Sequence, residues 1–137
     1  YIVTYYRSML AADTTVASTT GGDYVNVMAT VSLFSGVEVS VPDWVTGSGV
    51  SAVPNCPQGS VVSGTEAVYF LAGVVDSSAW SPSFIPSGYT GAGGGVIGGL
   101  NLMTAYKIIT SQEDPLAYGG TASSGSWIGI TTSIQEA

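Results

Sequence analysis

Few side chains in this sequence can do chemistry. Among 137 residues there is no His and one Cys, with two Lys/Arg against nine Asp/Glu for a formal charge of −7. Without imidazole the chain lacks the one side chain whose ordinary pKa lies near neutrality, and with it the commonest zinc ligand. A lone Cys56 forms no disulfide within the chain and supplies a single thiolate, so it reads as a small buried hydrophobe. Arg7 and Lys107 are the only cations, too few to neutralise a run of phosphates, which excludes nucleic-acid binding of that kind. What remains is oxygen chemistry. Asp13, Asp23, Asp43, Asp76, Glu113 and Asp114 are the candidate ligands for a Ca2+ ion, since hard cations take several carboxylates and carbonyls. None of them stands in the D-x-D-x-D-G spacing, so the ion would be held by distant carboxylates or across a subunit contact. With nine acids and two bases, at least seven acids have no cationic partner in the chain, and a divalent ion would relieve their repulsion. No other cofactor is expected.

Two spacings resemble known motifs. Gly93, Gly95 and Gly98 spell G-x-G-x-x-G, which binds a pyrophosphate when it joins a strand to a helix. Seven glycines among residues 88–99 produce that spacing by composition alone, and no βαβ pattern surrounds it. A packed or turning glycine segment is expected instead. Asp13-Thr14-Thr15, after Met9-Leu10-Ala11-Ala12, resembles the D-T-G of retroviral aspartic proteases, and Val96-Ile97-Gly98-Gly99 is similar to their flap. The resemblance implies a dimer in which each subunit lends one Asp. Thr15 stands where that signature has glycine, and Asp13 is expected to be a polar residue in a Ser/Thr-rich linker.

Trp44, Trp80 and Trp127, with eight Tyr, could line a glycan-binding face, because aromatic rings pack on sugar rings while hydroxyls fix orientation. On that reading a glycan or receptor would meet residues 44–64 and 80–95. Asn26, Asn55 and Asn101 lack the x-Ser/Thr of the N-glycosylation acceptor, so no N-glycan is expected.

The elements that must position these residues read as strands. Residues 24–34 (YVNVMATVSLF) alternate strictly, Ser35-Gly36 is a two-residue hairpin signal, and residues 37–41 (VEVSV) would return before Pro42 ends the pairing. Residues 43–64, broken by Pro54, Pro57 and several Gly, predict a long surface excursion with one short strand near 50–53. Residues 66–76 (EAVYFLAGVVD) are a continuous apolar run, the mark of a central strand buried on both faces. Residues 77–95 predict a Pro/Gly loop, residues 96–111 a strand with a glycine bulge, favoured over a short helix, and residues 126–134 (SWIGITTSI) the last strand. The expected fold is all-β: a single-domain β-sandwich or jelly-roll-like barrel over residues 23–137, with long Gly/Ser/Pro-rich loops.

Residues 1–10 (YIVTYYRSML) differ from an ordinary edge strand. Tyr1, Val3 and Tyr5 fall on one face and Ile2 and Tyr6 on the other, followed by Met9 and Leu10, so the strand needs cover on two sides. Residues 11–22 (AADTTVASTTGG) form a linker of small and hydroxyl residues. A two-faced strand on such a linker is what donation to a neighbour's sheet requires, with Tyr1, Ile2, Val3, Tyr5, Tyr6, Met9 and Leu10 as the subunit interface. Head-to-tail addition does not close on itself and gives a filament. Val3-Thr4-Tyr5 with Met9-Leu10 is also similar to the last shell-domain strand of small icosahedral RNA virus coat proteins, although Arg7 stands where an apolar residue is expected. That resemblance implies a coat or protruding domain that assembles as symmetric pairs and carries receptor-binding loops.

No apolar run reaches 18 residues, so no transmembrane helix is expected, and no cationic n-region opens the chain. The chain starts at Tyr1 rather than Met, which suggests a processed mature protein or an excised domain. The expected function is a non-enzymatic structural subunit whose partners are copies of itself, in an extracellular or cell-surface filament. A virion coat and a secreted glycan-binding module are the alternatives.

Overall fold

A computed structural model describes residues 43–51, 55–59, 67–76, 85–111 and 125–135 of the chain. Five strands carry it: β1 (Asp43–Ser51), β2 (Ala67–Asp76), β3 (Thr90–Ile97), β4 (Leu100–Ile109) and β5 (Gly125–Gln135). They form one open sheet in the order β1-β5-β2-β4-β3, with every neighbouring pair antiparallel. There is no helix among the described residues. The all-β class is therefore seen directly. The strands expected at residues 1–10, 24–34 and 37–41, the linker at 11–22 and the domain boundary at residue 23 lie outside the described residues.

Over Ala67–Asp76 the apolar run is the centre of the sheet, flanked by β5 and β4, which is why it tolerates no polar alternation. The last strand extends over Gly125–Gln135, and Gln135 opposite Ala67 fixes its register on β2. Three expectations are corrected. Residues 43–51 are a full strand where a surface excursion was expected, because Val45, Gly47, Gly49 and Ser51 line up against β5 and need no bulk to do so. Residues 90–95 are likewise strand, the first part of β3, where a loop was expected. The glycines at 98 and 99 make a turn instead of a bulge, with φ of +55° and +87°. Those positive φ values at both central positions match the mirror-image turn that joins twisted antiparallel strands, and glycine reaches them without a Cβ penalty. Asn101, fully buried, donates from Nδ2 to the Gly99 carbonyl at 3.2 Å and ties the turn down.

Opposed residues on antiparallel strands share a face, so the registers sort the side chains into two sets. One face is covered. Ala67, Tyr69, Leu71 and Val75 of β2 meet Met103, Ala105 and Ile109 of β4 there, with Trp127 of β5 at the margin. Two segments lie over it, residues 55–59 bringing Cys56 and residues 85–89 bringing Ile85 and Tyr89. The turn into β3 places Gly88 at φ +83°, closed by Tyr89 N–H donating to the Pro86 carbonyl at 3.1 Å.

Candidate functional site

The covered face has no room for a ligand where residues 55–59 cross it. A Cβ added at Gly129 would collide with the carbonyl oxygen of Asn55, and one at Gly59 would stand 2.8 Å from the Tyr69 ring. Thr131 Oγ1 donates to the Pro57 carbonyl, and Cys56 Sγ lies 3.6 Å from the Ala72 carbonyl with its side chain fully buried. Cys56 is thus a buried thiol outside any disulfide, the small-hydrophobe role expected of it. Lys107 Nζ sits 5.6 Å from the centre of the Tyr89 ring, a cation–π arrangement that stabilises the 85–89 segment against β4.

The second face has a different character. Val68, Phe70, Ala72 and Val74 of β2 project there with Leu100, Leu102, Tyr106 and Ile108 of β4 and Ile128, Ile130 and Ile134 of β5. Ala72, Leu102, Thr104, Ile130 and Thr132 on this face are buried, whereas Ile108 is 59% exposed and Trp44 and Val50 of β1 are 57% and 72% exposed. Both segments that cross the sheet among the described residues lie on the opposite side. Thr132 Oγ1 projects to the second face, buried and without a hydrogen-bond partner.

Of the Ca2+ candidates, Asp43 and Asp76 are described. Asp43 opens β1 opposite Ser133, whereas Asp76 closes β2 opposite Ser126. Seven residue steps along β5 separate those backbone positions, about 24 Å at strand rise. No group of three His, Cys, Asp or Glu is close enough for a metal among the described residues. Asp13, Asp23, Glu113 and Asp114 lie outside them, as do Tyr1, Ile2, Val3, Tyr5, Tyr6, Met9 and Leu10.

The glycan-facing loops are altered by the strands. Residues 43–51 take up part of the first loop and residues 90–97 part of the second. Trp44 shares a face with Thr132, and Trp127 shares the opposite face with Val75, its Nε1 donating to Ser51 Oγ at 3.0 Å. These two indoles therefore cannot stack on one sugar chain. Gly93, Gly95 and Gly98 lie in a hairpin, without the helix a pyrophosphate site needs.

What sequence reasoning missed is the pair of outer edges. β1 has β5 and β3 has β4 as their neighbours, and among the described residues neither has a second partner strand. The visible sign was four glycines in the eight residues of β3, read as loop. Comparisons with protein-family models, with curated proteins and with solved structures find no match to the chain. No helix among the described residues is long and apolar enough to cross a membrane.

Proposed function

We propose that the chain is a non-enzymatic structural subunit that joins copies of itself into an extracellular filament by addition of a β-strand to a sheet edge. The observation that carries this reading is the five-stranded open sheet whose two outer strands lack further partners among the described residues. An unpaired edge exposes a row of N–H and C=O groups that another extended strand can satisfy. The absence of His, the single buried thiol and the two cations support a role without catalysis. Strand donation by residues 1–10 supplies the matching half of the joint.

A symmetric assembly such as a virion coat is the second reading, and the exposed Trp44, Val50 and Ile108 on one face favour it. A two-fold pair would bury these exposed side chains against their own copies. Negative-stain electron microscopy of the full chain at neutral pH, with and without a chelator, separates the two. Filaments are the expected result, and their loss in chelator would add Ca2+ to the joint. Closed shells or discrete pairs would move the second reading to the front, and dispersed monomers would refute both.

A further inference from the structure

We infer that the outer edge of β3, over Gly93–Ile97, is the acceptor for residues 1–10 of a second copy of this chain, an assignment that rests on the self-assembly reading. β3 (TGAGGGVI) contains no charged residue and no proline, the two residue kinds with which proteins usually blunt an exposed edge. β1 has both at its start, Pro42 immediately before Asp43. Glycine inside a strand weakens it and commonly marks the place where another backbone approaches closely. β3 has Gly91, Gly93, Gly94 and Gly95.

The ladder fixes which groups face outward. The register of β3 on β4 slips between Gly91 and Gly93 and then runs without interruption from Gly93↔Thr104 to Ile97↔Leu100. Thr104 Oγ1 donates to the Gly93 carbonyl at 3.1 Å and anchors this end of the straight stretch. A two-residue turn makes Ile97↔Leu100 a hydrogen-bonded pair, and such pairs alternate with open ones. Gly95 and Gly93 therefore also bond β4, while the N–H and C=O of Gly94 and Val96 point to the outer side, where no strand pairs with β3 among the described residues.

Side chains flanking that edge select the donor. Val96 is 60% exposed on the covered face of the sheet and Ile97 38% exposed on the other. An added strand must be apolar on both of its faces to continue both surfaces, and residues 1–10 are, with Tyr1, Val3 and Tyr5 against Ile2 and Tyr6. Aromatic rings set across from edge glycines restore the packing that the glycines lack. The linker at residues 11–22 spans up to about 40 Å when extended, enough to carry the strand onto a neighbour.

The test uses two full-length variants. Val96→Pro removes one outward N–H without touching the ladder to β4, and Thr4→Pro with Tyr5→Pro disables the donor in either register. Sedimentation velocity should show polymers for the wild-type chain, monomers for each variant alone, and one-to-one pairs when the variants are mixed, because the mixture keeps one intact donor and one intact acceptor. A Val96→Lys chain, whose backbone is unchanged, should need at least tenfold higher concentration for half-assembly and covers the case in which the proline variant does not fold. Normal polymerisation of both Val96 variants would overturn the β3 assignment while leaving self-assembly standing. Monomeric wild-type chain at every concentration would overturn the self-assembly reading itself, and with it this one.

Discussion

At Gly129 a single methyl group decides whether residues 55–59 can lie on the sheet. Its absent Cβ leaves space filled by the Asn55 carbonyl and Cys56 Cα, so Gly129→Ala forces backbone against backbone. We expect it to cost about 1–3 kcal/mol in a urea titration. Gly91→Ala is the matched control, since its Cβ would meet Ile85 Cδ1 at 3.8 Å, an ordinary contact, and should change stability by no more than about 0.5 kcal/mol. Thr132 gives the opposite sign. Its Oγ1 is buried without a partner, so Thr132→Val, which keeps the shape and removes the stranded hydroxyl, should stabilise the fold by about 1 kcal/mol. A lower denaturation midpoint for that variant would show that the hydroxyl is satisfied. At this scale the burial of Cys56 was legible from its being the lone cysteine. The contact of Gly129 with residue 55 was not, because nothing local in the sequence records a distance between residues so far apart along the chain.

Among the elements, the β3–β4 hairpin shows where pattern reading fails and why. Strand signals are written in side chains, and β2 was legible as a central strand from its continuous run of bulky apolar residues. β3 is half glycine and has almost no side chains to write with, so its strand character comes from pairing to β4. β1 was missed on similar grounds, with Gly47 and Gly49 in its middle. The turn itself yields a prediction. Gly98 at φ +55° has the conformation that Asn adopts best among residues with a Cβ, and Asn-Gly is the preferred pair for this turn. Gly98→Asn should therefore hold or raise the thermal midpoint by reducing the freedom of the unfolded chain, a gain of up to about 1 kcal/mol. Gly99→Val, a β-branched residue at φ +87°, should cost about 1–3 kcal/mol of stability and lower the midpoint. Equal midpoints for the two variants would show that the turn is not held in this conformation.

The whole molecule has a charge of −7 and a sheet whose outer strands lack further partners among the described residues. Those properties oppose each other in any assembly, because copies that add strand to edge also bring like charges together. Salt weakens that repulsion, shortening the screening length from about 30 Å at 0.01 M to about 8 Å at 0.15 M. Light scattering should accordingly report larger assemblies as sodium chloride rises over that range, and a decrease would mean that ion pairs hold the copies together. The all-β class was legible in the composition and turn punctuation of the chain, and the negative inventory of chemistry was legible in the residue counts. The sheet order and the two outer edges were not, since they depend on which strands find each other across long separations. Sedimentation velocity of the full chain over a wide concentration range tests self-assembly most directly. Head-to-tail strand addition predicts an open-ended series of species growing from the 13.9 kDa monomer as concentration rises. A single species of monomer mass at every concentration, or one closed dimer and nothing larger, would contradict it.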